Sequence, residues 1–158
     1  MDHETVIDEL HQPFVGESRK PRDYREQARK HFLSFTKTRR PSYKSIKATI
    51  RRQLGYVGRD LKSIAKMLDY SNLELLDRVL YKKLMVVSEL YPQHRLMYQQ
   101  QIHKVEDRIV SIQQPHIRPI VRGKAGADVE FGAKVLISVQ KGFSHVEKID
   151  YNNFNEGQ

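Results

Sequence analysis

The densest run of cationic side chains lies between residues 37 and 52, which contain seven Lys and Arg and no acidic residue. On a helix, Lys44, Lys47 and Arg51 come three and four residues apart and share one face. Like charges at this spacing repel each other, and a row of nucleic-acid phosphates would neutralise them. The pattern predicts a DNA-binding surface, and a merely solvated basic face is the alternative. The predicted phosphate-binding residues here are Arg39, Arg40, Lys44, Lys47, Arg51 and Arg52.

A second basic group lies in the stretch from Gln113 to Lys124, where cations and glycines stand between short apolar runs. This alternation predicts a strand, a basic turn and a second strand, and it places Arg118 and Arg122 on the same face. Together with Lys124, these side chains suit a phosphate group. Paired guanidinium groups suit a carboxylate on a neighbouring strand equally well, so both interpretations stay open.

Four carboxylates in the second half of the chain, Asp107, Asp128, Glu130 and Asp150, are candidates for metal-dependent nuclease chemistry. That chemistry needs three carboxylates around two divalent cations roughly 4 Å apart. Asp150 is the best placed, at the end of an expected strand, but no second acid stands at a spacing that brings it alongside. The histidines show no zinc-like spacing either. The sequence therefore predicts no catalytic residue and no metal ligand in this chain.

Composition narrows the class of protein. The chain has 158 residues, a length typical of one ordinary domain, and it contains no cysteine, which excludes disulfides and thiolate chemistry. No apolar run approaches the roughly 20 residues that cross a bilayer, and the first residues are acidic, so a cytoplasmic protein is expected. The net charge of +9 is concentrated in residues 18–67, which hold 16 Lys and Arg against three acids. This segment is expected to meet a polyanion.

Apolar spacing predicts helices in the first two thirds of the chain. Val6, Ile7 and Leu10 stand at helical spacing and mark the tail of a helix within residues 1–17. Ser18 is the expected N-cap of a second helix, because its hydroxyl is a good acceptor for unpaired backbone amides.

Two further helices are expected. One begins at Ser42, and Gly55 and Gly58 predict either a bend in it or a division into two helices. The other carries apolar residues in steps of three and four between positions 73 and 91, and Pro92 is expected to interrupt it. This apolar seam makes pairing with another chain an alternative function.

The periodicity changes from helical to alternating near residue 108. The expected strands cover residues 108–112, 129–139 and 143–151, with a turn at Gly142. The predicted fold class is α+β: a partial sheet of three or four short antiparallel strands in residues 106–158, preceded by a basic helical region in residues 18–105.

Residues 114–134 carry a resemblance to a known family. The block Gln-Pro-His-Ile-Arg-Pro-Ile-Val-Arg-Gly-Lys at 114–124, with Glu-Phe-Gly-Ala-Lys at 130–134, resembles the catalytic region of bacterial insertion-sequence transposases of the DDE type, the IS-five group. Weaker similarity extends to residues 51–61 and 151–157. The resemblance implies a ribonuclease-H-like fold, in which residues 108–151 supply the second and third strands and residues 18–105 are a helical insertion.

The resemblance also implies a function. Intact family members cut and join transposon DNA with Mg²⁺ or Mn²⁺, but no position of this chain matches their three catalytic acids. A transposase fragment that binds DNA in the bacterial cytoplasm or nucleoid, and that has no activity of its own, is therefore expected. Its expected partner is DNA, and the alternative is a subunit-pairing module that binds a second copy or an intact transposase subunit. No small-molecule substrate is expected.

Overall fold

The computed structural model describes residues 2–15, 17–124, 127–152 and 154. Within them the chain divides into two compact units, one ending at His103 and the other beginning at Lys104. The first unit contains four α-helices and the second contains four strands, so the chain is α+β, as its periodicity predicts. None of the described helices is long and apolar enough to cross a membrane.

The core of the first unit forms around α1 (Asp2–His11). Val6, Ile7 and Leu10 on this helix are fully buried, as their spacing predicts. The buried cluster consists of Val6, Ile7, Leu10, Ile64, Met67, Leu76 and Leu84. Because a fully buried aliphatic side chain contributes about 1.5–3 kcal/mol, α1 is an integral part of this unit.

The second helix, α2 (Arg25–Thr36), begins later than predicted. It starts after Tyr24 without a side-chain cap, so the prediction that Ser18 caps it is wrong. The backbone oxygen of Ser18 instead accepts a hydrogen bond from Nε2 of His11 at 3.0 Å. The segment after Ser18 folds back onto α1, which keeps it from continuing α2 towards the N-terminus.

An ion-pair network joins α1 to the start of α2. Nη2 of Arg25 donates to both carboxylate oxygens of Asp8, at 3.1 and 2.9 Å, and to Asp23 at 2.9 Å. Lys20 also contacts Asp8. Burial alone would raise the pKa of Asp8, but hydrogen bonds and positive charge from Lys20 and Arg25 bring that pKa below its ordinary value. The pKa of Asp23 is lowered against its own burial, chiefly by Arg25.

The third helix, α3 (Tyr43–Met67), begins where the sequence predicts. The backbone amide of Ser45 donates to the hydroxyl of Ser42 at 3.3 Å, which confirms Ser42 as the N-cap. The helix runs through Gly55 and Gly58 as one element, so the chain does not divide into two helices there.

The fourth helix, α4 (Arg78–Gln100), is capped by Asp77, whose carboxylate accepts two backbone amides at 2.7 and 2.8 Å. The prediction that Pro92 interrupts it is wrong, because Pro92 lies inside the helix. Side chains of α4 on both sides of Pro92 pack along α3, with Leu84 buried before it and Tyr98 beside α3 after it. This tertiary packing outweighs the loss of one helical hydrogen bond.

The apolar side chains predicted as a seam between residues 73 and 91 pack against other helices of the same chain. Leu76, Leu84 and Val87 are buried, the first two in the cluster around α1. The seam therefore builds the core of this unit. Two short 3-10 helices complete the unit, Gln12–Phe14 and Leu73–Leu75.

The second unit consists of two antiparallel hairpins. The strands are β1 (Pro119–Lys124), β2 (Ala127–Phe131), β3 (Lys134–Gln140) and β4 (Phe143–Asp150). β1 pairs with β2, and β3 pairs with β4. Lys141 and Gly142 connect β3 to β4 with φ angles of 51° and 83°, the conformation of a two-residue type I′ turn, which confirms the turn predicted here.

Two features of the predicted sheet are wrong. Residues 108–112 form no strand, because Asp107 adopts a left-handed φ of 48° and the chain continues irregularly with Ile109 buried. The strand predicted over residues 129–139 is broken at Gly132, whose φ of 142° favours glycine. The four described strands consequently form two two-stranded sheets in place of one larger sheet.

Candidate nucleic-acid interface

Cationic side chains of α3 line an open groove beside α4. One part, with a volume of about 630 Å³, is lined by Lys44, Lys47, Ala48, Arg51, Arg52, Gly55, Tyr56, Arg59 and Tyr98. The adjoining part, of about 350 Å³, is lined by Arg51, Leu54, Gly55, Gly58, Arg59, Lys62, Tyr91, Arg95, Tyr98 and Gln99. Because four residues belong to both linings, the two parts form one continuous surface, which we call the cationic groove.

The charge of the cationic groove has one sign. Its seven cations are Lys44, Lys47, Arg51, Arg52, Arg59, Lys62 and Arg95, and neither lining contains Asp or Glu. In the described part of the chain, none of the seven forms an ion pair with a carboxylate. Cations at helical steps of three and four repel each other, so this surface is suited to an extended anion.

The amphipathic character of α3 sets the direction of the groove. Its apolar residues, among them Leu54 and Val57, face the cleft with α2 and α4. On the α2 side, Nε2 of Gln53 donates to the backbone oxygen of Ala28 at 3.4 Å. The cations therefore lie on the remaining face, and at 1.5 Å per residue the stripe from Lys44 to Lys62 extends about 27 Å.

Two aromatic rings restrain the side chain of Arg59 in the groove. Its guanidinium carbon lies 4.5 Å from the ring centroid of Tyr24 and 4.9 Å from that of Tyr56. The hydroxyl of Tyr56 is in turn 3.0 Å from Nδ1 of His31. Stacking uses the faces of a guanidinium and leaves its N–H edge available to donate, so Arg59 is held ready to bind an anion.

The other two cations predicted in the basic run lie apart from the groove. Arg39 and Arg40 are exposed in the loop between α2 and α3, and they line neither part of the groove. Four of the six predicted residues therefore line the groove: Lys44, Lys47, Arg51 and Arg52. The other two, Arg39 and Arg40, precede α3.

The second predicted basic group is partly engaged inside its own unit. Nη1 of Arg118 donates to the backbone oxygens of Pro115 and Ile117, and its Nε lies 3.8 Å from Asp107. A carboxylate and carbonyl groups of the same chain therefore surround this guanidinium. The side chains of Arg122 and Lys124 lie outside the described residues.

The candidate acids whose side chains are described, Asp107, Glu130 and Asp150, do not form a metal site. No group of three or more His, Asp or Glu side chains in the described part of the chain is placed to hold a metal ion. Asp107 faces Arg118, and Asp150 accepts the backbone amide of Asn152 at 3.0 Å. The side chain of Asp128 lies outside the described residues. Among the described side chains, Asp107, Glu130 and Asp150 therefore do not fit the two-metal site of a nuclease.

Sequence reasoning missed two cations of α3 in the groove, Arg59 and Lys62, and the α4 residues Arg95 and Tyr98. The first two continue the stripe of Lys44, Lys47 and Arg51 beyond Gly55 at helical steps, and extending that pattern would have found them. Arg95 and Tyr98 come from α4, and only the tertiary packing of α4 beside α3 brings them to the groove.

The fold and the site define an α+β protein whose basic helical unit carries a cationic groove. Comparison with protein-family models, with curated proteins and with solved structures found no match to the chain.

Proposed function

We propose that this chain binds the phosphate backbone of DNA through the cationic groove, and that it is part of a DDE-type transposase. The observation that carries the first proposal is the lining of the groove, which has seven cations and no carboxylate. The second proposal is supported by the resemblance of residues 114–134 to insertion-sequence transposases.

The dimensions and charge of the groove suit a nucleic-acid strand. A stripe of about 27 Å is comparable with one turn of duplex DNA, about 34 Å. Lys and Arg contacts to phosphates release condensed counterions, so such binding is largely independent of sequence and weakens steeply with salt. The groove would therefore supply affinity and position the DNA, and recognition of transposon ends is not assigned to it.

The same proposal includes a ribonuclease-H-like fold for the transposase. A ribonuclease-H-like sheet, to which residues 108–151 supply the second and third strands, is supported by the signature block, which covers β1, the end of β2 and the start of β3. The proposal gives this chain no metal-dependent step. Its role within the transposase is to hold DNA.

Titration of the purified chain with fluorescently labelled duplex DNA tests the proposed function. Fluorescence anisotropy between about 50 and 200 mM NaCl should show log Kd rising linearly with log salt, with a slope of several units. Absence of binding at the lowest salt concentration, or an affinity that does not change with salt, would contradict the proposal.

Subunit pairing stays the second candidate function, favoured by exposed apolar side chains on the β3–β4 hairpin. Ile137 and Val146 are paired across the hairpin, and 56% and 60% of their surfaces are exposed. Large exposed apolar patches mark protein interaction sites. Sedimentation of a monomer at all accessible concentrations would exclude pairing between copies of this chain.

A further inference from the structure

We infer that Gly55 forms a gap in α3 where one phosphate group of the DNA backbone lies directly against the helix, between Arg51 and Arg59. This inference rests on the proposed function and assigns it a specific point of contact.

The packing of the first unit does not account for Gly55. Glycine inside a helix costs about 1 kcal/mol relative to alanine, so each interior glycine calls for a reason. Gly58 has one, because a Cβ there would overlap the hydroxyl of Tyr91. A Cβ at Gly55 would meet no atom within 4 Å, so the space above this residue is open.

Gly55 lies where the two parts of the cationic groove meet. The residues common to both linings are Arg51, Gly55, Arg59 and Tyr98. Arg51 and Arg59 are four residues before and after Gly55, so they flank it one helical turn to either side on the same face, with Cβ positions about 5–6 Å from it. The bare backbone thus lies between the two arginines along this face of α3.

The chemistry of the flanking groups fits a phosphate. Guanidinium groups bind phosphate oxygens through two parallel hydrogen bonds, and Arg59 is already held by Tyr24 and Tyr56. Tyr98 adds a phenol that can donate to a further oxygen. A side chain at position 55 would fill the space that these groups surround.

Substitutions at position 55 test this inference. Gly55→Leu should raise the Kd for duplex DNA at least about ten-fold and reduce the salt slope by about one, the loss of one phosphate contact. Gly55→Ala should raise Kd by a smaller factor, and its thermal unfolding midpoint should equal or exceed that of the wild type because alanine favours the helix. The matched control is Ala65→Leu, which adds an equivalent side chain at an exposed position of α3 outside the groove.

The outcomes separate this inference from the proposed function. If Gly55→Leu binds DNA as tightly as the wild type while Arg51→Gln binds weakly, the phosphate contact at Gly55 is refuted. DNA binding in the cationic groove is then still supported. If the wild type does not bind DNA, both are wrong. A parallel titration measures the binding of inorganic tripolyphosphate to the wild type and to Gly55→Leu. Binding of tripolyphosphate that Gly55→Leu abolishes, without binding of DNA, would assign the gap to small phosphate compounds and overturn the DNA contact.

Discussion

The hydroxyl of Tyr91 on α4 occupies the space that a Cβ would take at Gly58 on α3. The Tyr91 side chain thereby packs directly against the backbone of α3 at position 58. The same part of the groove contains Arg95 and Tyr98 of α4 beside the cations of α3.

The Gly58 contact gives the first prediction. Gly58→Ala should displace the Tyr91 side chain and destabilise the chain by about 1–3 kcal/mol from overpacking, reduced by the roughly 1 kcal/mol that alanine gains in a helix. Urea denaturation measures the free energy of unfolding. Tyr91→Phe, which removes the nearest atom, should restore part of the loss in the double variant. A Gly58→Ala chain more stable than the wild type by about 1 kcal/mol, the full gain of alanine in a helix, would show that the Tyr91 side chain moves aside without cost.

A second prediction concerns acid stability. The pKa values of Asp8 and Asp23 are lowered in the folded chain, so both groups stabilise it above their unfolded value near 3.8, and that stability is lost as pH falls through the folded values. Asp8→Asn should lower the free energy of unfolding at pH 7 by at most about 1 kcal/mol, since these ion pairs are partly exposed.

The same measurement at a series of pH values below 3.8 completes this test, because Asp8 is protonated as the pH falls through its lowered pKa and should then differ little from Asn. The wild-type advantage should thus shrink as the pH falls from 7 through this range. An advantage that stays constant over this range would mean that the charge of Asp8 plays no part.

The third prediction concerns Arg59. Tyr24→Leu removes one of its two stacking partners and leaves the net charge unchanged, so Kd for duplex DNA should rise about two- to five-fold, which corresponds to 0.5–1 kcal/mol. Anisotropy titration measures the change. Tyr81→Leu, at an exposed tyrosine on α4 outside the groove, is the control. Equal effects of the two substitutions would mean that restraint of Arg59 does not contribute to binding.

Local patterns in the sequence predicted much of the fold. The spacing of Val6, Ile7 and Leu10, the cap at Ser42 and the turn at Gly142 all form as expected, because each depends on neighbours in sequence. The errors arise where distant contacts decide. Pro92 stays helical because α4 packs along α3.

The candidate site was predictable to the extent that it lies on one helix. Lys44, Lys47 and Arg51 share a face of α3 as their spacing indicates. Arg95 could not be assigned, since its place in the groove depends on the packing of α4 against α3. The separation of the strands into two hairpins could not be predicted either. The alternation of apolar and polar residues continues across Gly132, although the φ of 142° at this glycine ends the strand.

The most direct test of the account compares two variants of equal net charge. One replaces Lys47, Arg51, Arg59 and Lys62 of the groove by glutamine, and the other replaces Lys30, Lys66, Lys82 and Lys104, which are exposed outside it. For duplex DNA at fixed salt, the groove variant should lose about 100-fold or more in affinity and about three to four units of salt slope, since each phosphate contact contributes nearly one unit. The control variant should lose only a few-fold. Equal losses in the two variants would show that DNA responds to overall charge and would contradict binding in the cationic groove.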